Sequence, residues 1–390
     1  MATIAGPQPI ARQRGGSRLR SAAAQLDWPL LLAVVAILVF SVYIVDLATA
    51  EDIPGDPDFF VARRLLHIGI GAVAFLALYA LNPDRVARWA WVLLGALLGA
   101  LTVVFLIGTV NRGSTRWIEV GPLNVQPSEA GKLILVFVLA AVIAERAHLI
   151  GTVSLSVLAL IITAVPALII FLEPDLGTAM VYFAILAGIL LVAGAPWHHF
   201  AVAGVVAALA VLIVVVVLPN TGVSVLQPYQ VDRLTAFVDS ERDPSDSSYQ
   251  LEQSKTAIGS GGALGKGPEG ATQTINDFLP EHHNDFIFAV VSEMFGFVGG
   301  GGLILLFGIV VWRAMRIASN AASRFDQLIV AGIVSMLVFQ VFVNIGMTVG
   351  IMPITGIPLP FMSSGGSHTI ASMAAVGVLM RIHARGRREP

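Results

Sequence analysis

Apolar runs of about 20 residues, each long enough to cross a hydrocarbon layer as a helix, recur along this chain of 390 residues. The pattern predicts ten spanning helices, near 29–49, 65–83, 88–110, 127–145, 149–172, 175–196, 199–219, 285–312, 326–352 and 364–382. The fold class that follows is an all-α polytopic membrane protein. The fourth run is fully apolar only from Leu133 to Ala144, but Pro127 suits a first helical turn and Lys132 can snorkel to the interface. Residues 1–28 read as an N-terminal arm, 29–382 as one membrane domain and 383–390 as a tail, with no tandem repeat and no second, soluble domain.

One interval between spans is not a short connector. Pro219 to Asn284 is 66 residues of polar, Gly-, Ser- and Pro-rich sequence, and a stretch of that length is more often functional than merely connecting. Tyr249 to Ala257 reads as a short helix within it. The GSGGALGKGPEG run that follows superficially suggests a phosphate loop. That loop needs four residues between Gly and Gly-Lys and then Ser or Thr; Gly261 to Gly265 leaves three, and Gly267 follows the lysine.

Charge orients the chain. With the N-terminus inside, the inner segments hold 14 of the 23 Lys and Arg residues, which favours both termini in the cytoplasm. Arg63 and Arg64 fall on the opposite side. A cleaved signal peptide is the competing reading of the first apolar run, which is longer than a usual signal core and whose loss would reverse every later segment. Only 12% of residues are charged, against about 25% in soluble domains. A net charge of −2 argues against nucleic acid as a partner, and the absence of cysteine removes disulfides, thiolate metal sites and a cysteine nucleophile.

Four polar constellations break the apolar pattern. In residues 112–133, RGSTRWIEVGPLNVQPSEAGKL, Glu129 and Lys132 share a helix face. They read either as an interfacial ion pair or, with Arg112 and Arg116, as part of a cationic outer rim for an anionic phosphate. In LEPDLGTA, residues 172–179, Glu173 and Asp175 bracket a proline, and capping alone accounts for Asp175. The run from Leu279 to Asp285 brings His282, His283 and Asp285 to the edge of a span, where ionisable groups are costly and usually functional. It lacks a closed metal-ligand pattern, whereas an ionised Asp285 can act as a general base. In residues 350–368, GIMPITGIPLPFMSSGGSH, prolines and a Ser/Gly turn interrupt helix at membrane depth. Such backbone survives only against protein or a wet cavity, and the turn at Ser363 to Ser367 reads as an anion cradle or a simple reversal.

RWIEVG…QPSEAGKL, EPDLGTA, FLPEHHNDFIFAVVSEMFGFVGG and GIMPITGIPLPFMSSGGS, in this order over ten spans, resemble the SEDS family of shape, elongation, division and sporulation proteins, over nearly the whole chain beyond residue 28. TQTINDFLPE and MPITGIPLPF sit nearer its elongation branch. The resemblance implies a peptidoglycan glycosyltransferase that polymerises lipid II at the outer face of the bacterial cytoplasmic membrane, beside a class B penicillin-binding protein. It implies Asp285 as the catalytic carboxylate and Arg116, Glu129, Lys132 and Asp175 as functional polar positions, which with His282, Ser363 and Ser364 of the polar constellations make up the expected substrate-binding set. No cofactor is implied beyond a divalent cation that would share the pyrophosphate charge. Asn284 stands where the family usually has Thr, and Ser364 where it usually has Tyr. Two other readings are a flippase for lipid-linked precursors, since broken helices also mark transporters, and a non-catalytic scaffold.

Overall fold

The computed structural model describes residues 25–49, 53, 56–111, 114–120, 123–214, 230–233, 237, 246–276 and 278–387. The first helices are α1 (Trp28–Thr49), α2 (Phe59–Ala80), the short α3 (Pro83–Arg88) and α4 (Ala90–Ile107). Three antiparallel strands, β1 (Thr109–Asn111), β2 (Ser114–Val120) and β3 (Leu123–Val125), then lead into α5 (Pro127–Glu145). After α5 come α6 (Val153–Leu172), α7 (Leu176–Ala193) and α8 (Trp197–Leu212). The long segment contributes α9 (Asp246–Gly261) and α10 (Thr272–Ile275), and α11 (Ile287–Ser319), α12 (Arg324–Val349) and α13 (Gly366–Gly386) complete the chain.

Eight of these helices, α1, α2, α4, α5, α6, α7, α11 and α12, are long and apolar enough to span a membrane. The apolar α8, with 16 described residues, and α13, whose ends are polar, occupy the other two expected positions. The all-α polytopic architecture therefore stands, with element ends that differ from the apolar pattern for physical reasons. α2 begins at Phe59, before its apolar run, because Arg64 is fully buried among hydrogen-bond acceptors rather than facing lipid. α11 continues to Ser319, past residue 312, with Arg313 ion-paired to Asp27 ahead of α1. The small sheet was not announced by the apolar pattern.

α5 is the central post: 78% of its apolar window is buried, against 39% for α6, and it touches α4, α6, α7, α12 and α13. Lipid is as apolar as leucine, so helices associate in a bilayer through close packing of small residues rather than by escape from water. A Cβ on Gly188 of α7 would fall 1.7 Å from the Ser335 hydroxyl of α12, and one on Gly377 of α13 would fall 2.4 Å from the Phe75 carbonyl of α2. These glycines set the closest approaches of the bundle.

The glycine-rich run is a backbone joint. α11 kinks at Gly296, whose φ is 64°. There Lys266 and Gly267 donate backbone N–H groups to the carbonyls of Glu293 and Met294 at 3.0 Å each, and Phe297 donates to Gly262 at 2.9 Å. A Cβ at Gly265 would meet the Met294 carbonyl at 2.1 Å. Buried Glu293 accepts from Gln273 N–H at 2.9 Å and from the Thr274 N–H and hydroxyl at 3.1 and 2.8 Å, which ties α10 to α11. The long segment is thus docked along α11 through α9, a helix longer than Tyr249 to Ala257.

Candidate active site

Asp285 stands just before α11, partly buried, on a backbone fixed from three sides. The Ser363 hydroxyl donates to the Asn284 carbonyl at 2.6 Å and accepts from Leu359 N–H at 2.8 Å. Ser364 donates its N–H to the His283 carbonyl at 3.1 Å and its hydroxyl to the Asn284 amide oxygen. Asn344 on α12 donates to the carbonyls of both Asp285 and Ile357, at 2.9 and 2.8 Å. The broken segment at membrane depth therefore spends its polar groups on the turn that carries Asp285, as backbone outside a helix must in a bilayer.

Arg64 locks the far side of this clasp. It donates to the Ser363 carbonyl at 2.5 Å, to the Thr369 hydroxyl at 2.6 Å and to the Phe361 carbonyl. At the open side, Gly356 has a φ of 70°, and a Cβ there would lie 3.4 Å from both Asp285 Oδ2 and Arg233 Nη1. Arg233, from the long segment, thus shares a small space with the Asp285 carboxylate, and any side chain at 356 would intrude on both.

A second node lies at the feet of β2, α5 and α7. Asp175 accepts from Thr178 N–H at 3.0 Å and the Thr178 hydroxyl at 2.9 Å, so it does cap α7, as the sequence suggested. It also holds Gln126 at 2.9 Å and Arg116 at 3.3 Å. Arg116 keeps 28% of its side chain exposed. Between the two carboxylates of this turn, Glu173 is buried; desolvation, with the neighbouring Asp175 charge second, pushes its carboxyl up to about 8. Burial thus favours its neutral form.

The third node corrects the picture of a cationic rim. Lys132 is 2% exposed and Glu129 3%; they meet inside the bundle at 2.5 Å, and Glu129 holds His368 of α13 at 3.0 Å through its other oxygen. Lys132 is therefore neither snorkelling nor available on the outer surface, because its charge is matched within the protein. Arg112 lies outside the described residues. His282 is buried beside the Leu279 carbonyl at 3.1 Å, Ser363 is fully buried, and the hydroxyls of Ser363 and Ser364 are engaged with Asn284. Among the described residues, no three His, Asp or Glu side chains gather to hold a metal ion.

The three nodes are connected. Ser363 and Ser364 lead into α13, whose first turn carries Ser367 and His368, and Ser367 accepts from Gln126 N–H at 3.0 Å while donating to the Asn124 carbonyl at 2.8 Å. An apolar cavity of about 640 Å³ runs from Gln126, Glu129 and Ser367 down between α2, α4, α5 and α13, past Leu81, Leu133 and Phe137. Arg64, Arg233, Asn344 and His368 were missed in the sequence. Arg64 had a signal, since an arginine within an apolar span is rarely idle; the others are brought in by distant elements.

The model of the FtsW, RodA and SpoVE cell cycle proteins matches residues 24–388. Stage V sporulation protein E of Bacillus subtilis is 35% identical over 90% of this chain and 96% of its own length. Peptidoglycan glycosyltransferase MrdB of Escherichia coli is 34% identical over 92% and 93%. Among solved structures, a chain from work on the structural coordination of polymerization and crosslinking by a peptidoglycan synthase complex superposes with a TM-score of 0.76 at 32% identity, over 93% of this chain and 98% of that one. The rod shape determining protein RodA of Thermus thermophilus gives 0.67 at 29% identity, over 93% and 97%.

Proposed function

This chain belongs to the FtsW, RodA and SpoVE family of cell cycle proteins, and on that premise we propose that it is a peptidoglycan glycosyltransferase polymerising lipid II at the outer face of the cytoplasmic membrane. One observation carries the reading: a partly open carboxylate, Asp285, stands at the head of a spanning helix on a clasped backbone, with Arg233 beside it across Gly356. Lipid II joins its sugar through pyrophosphate to a polyprenyl chain, so its reacting end lies at the interface while its tail stays among apolar groups.

Asp285 takes the proton from an acceptor sugar hydroxyl. That oxygen bonds to the donor's anomeric carbon, whose bond to phosphate breaks, and the pyrophosphate leaves with the electron pair on its lipid. Arg116, partly exposed, and Arg233 are the cations placed to offset that charge. Lys132 and Glu129 act one layer in, fixing α13 through His368. The apolar cavity below Gln126 receives the first isoprene units. A divalent cation, where used, would be held chiefly by the pyrophosphate itself.

Two further elements follow the family. A class B penicillin-binding protein is the partner that crosslinks the product, reaching the long segment from outside, and both termini lie in the cytoplasm. The elongation branch is the assignment, on the motifs TQTINDFLPE and MPITGIPLPF.

Purified full chain incubated with labelled lipid II in detergent tests the activity. Polymer is expected from the wild type, and D285N should lose a factor on the order of 10² or more while remaining folded. Absence of polymer from a folded wild type would favour a flippase or scaffold. Orientation is tested separately by introducing S247C or S319C into this cysteine-free chain. An impermeant thiol reagent should reach S247C on cells stripped of any outer barrier, and S319C only once the membrane is broken; the reverse labelling would place Asp285 in the cytoplasm and end the extracellular reading.

A further inference from the structure

The rim of the Asp285 turn carries an aromatic pair outside the proton and phosphate chemistry of the reaction. Phe60 of α2 and His283 pack with ring centroids 4.7 Å apart and planes tilted by 46°. Phe59 meets Phe60 edge-on at 5.3 Å, and the Arg63 guanidinium lies 5.2 Å from the Phe59 centroid. Phe60 stands one helical turn before Arg64 and on the same face, so that the arginine holds the Ser363 carbonyl while the phenylalanine meets the turn next to Asp285. Both rings of the pair are half-buried. Neither is closed off as Phe286 and Phe361 are, at 1% and 0% exposure.

The turn is held in a costly conformation. Glu281 has a φ of 55°, which a side chain other than glycine rarely adopts. Asn284 donates its amide to the Glu281 carboxylate at 2.9 Å while accepting from the Ser364 hydroxyl, and the Glu281 carbonyl accepts from the N–H groups of Asn284 and Phe286 at 3.0 and 3.4 Å. Strain of this kind persists only where the surroundings enforce it, and it gathers at ligand sites. Here it sets His283 at the rim, two residues from Asp285 and so within about 7 Å along the chain, with carboxylates before and after it at 281 and 285.

Aromatic faces beside carboxylates make a surface of two characters. A polyprenyl or acyl chain would use the rings and strand the acids, and a phosphate would gain nothing from the rings. A pyranose uses both, since its axial C–H bonds form an apolar side that lies against the negative face of a π system, while its hydroxyls donate around the edge. We propose that Phe60 and His283 form the platform on which the acceptor sugar stacks, setting its hydroxyl at Asp285. The identity of the acceptor rests on the polymerase reading; the class of ligand, a neutral pyranose, rests on the rings and the carboxylates alone.

Full-length wild type in neutral detergent, titrated with lipid-free chitotetraose and read by saturation-transfer NMR, tests the platform without turnover, because this saccharide has no pyrophosphate to lose. Saturation should reach the axial ring protons most strongly. F60L and H283L should each weaken binding about three- to tenfold, the worth of an aromatic contact, and H283F, which keeps a ring, should stay within about twofold of wild type. With lipid II as substrate, H283L should raise KM by a similar factor with a smaller fall in kcat, whereas a turn that had merely shifted Asp285 would lower kcat at constant KM. Where F60L does not fold, H283L and H283F carry the comparison. Absence of transfer from wild type, saturation spread evenly over the saccharide, or binding indifferent to H283L would overturn the proposal, even in a protein that makes polymer. Binding through these rings by a wild type that makes no polymer would support the platform and sink the polymerase reading instead.

Discussion

Two carboxylates in this molecule, Asp285 and Glu129, are held by opposite means. Asp285 rests on a frame of neutral donors, in which Ser363, Ser364 and Asn344 grip the backbone around it and leave the carboxylate partly open. Glu129 is closed in, with Lys132 on one oxygen and His368 on the other. A group that must exchange a proton with substrate needs a rigid seat and an accessible head. A group that must hold helices together needs its charge answered inside, because a buried ion without partners costs several kcal/mol. Asn344 and Ser363 grip the seat by its backbone, whereas the staple is gripped by its carboxylate oxygens.

The contrast can be broken at either end. The largest expected effect is the loss of polymerisation in D285N with little loss of fold, since Asn keeps the volume of Asp and the bonds from Asn344 and Ser363 hold this segment by its backbone. K132M should do the reverse in kind: it strands the Glu129 charge and should destabilise the protein by about 3–5 kcal/mol, read as a fall in melting temperature and in yield from detergent. Exchanging the two charges in E129K/K132E tests whether they are a simple pair. Since His368 also holds Glu129 at 3.0 Å, the exchange sets a lysine against that histidine and should not restore the wild-type melting temperature; full restoration would reduce the node to an isolated ion pair.

S363A sharpens the account of the seat. Removing that hydroxyl leaves the Leu359 N–H and the Asn284 carbonyl without their bridge, at about 1–3 kcal/mol. Turnover should fall with KM little changed, because Ser363 is fully buried and acts through the position of Asp285. A KM rise at unchanged kcat would return Ser363 to direct substrate contact.

A last test is a pH dependence of stability. Glu173 has its carboxyl raised from 4.5 to about 8 by burial and by Asp175. Its neutral form is favoured in the folded state, so its contribution to stability is complete below pH 4.5 and is lost as pH rises toward about 8. E173Q, which cannot ionise, should flatten the stability profile over that interval; an unchanged slope would show that Glu173 titrates in the folded protein much as it does in the unfolded chain.

The apolar runs alone determined the class of fold, the approximate place of the long helices and the position of the long segment, because a bilayer demands about 20 apolar residues in helix for every crossing. They also marked Asp285, Arg116, Glu129, Lys132 and Asp175 as charges out of place. What each charge does was decided only by tertiary structure. Lys132 looked like a rim cation until α13 supplied His368 and closed the node, and Arg64 looked misplaced until residues 361–369 supplied its acceptors. The Ser363 turn could as well have cradled an anion until Asn284 was found bonded to it. The physical reason is that the cost of placing a charge in an apolar medium is local and visible in sequence, whereas the groups that answer it come from distant elements, as Arg64 and Thr369, 305 residues apart, show.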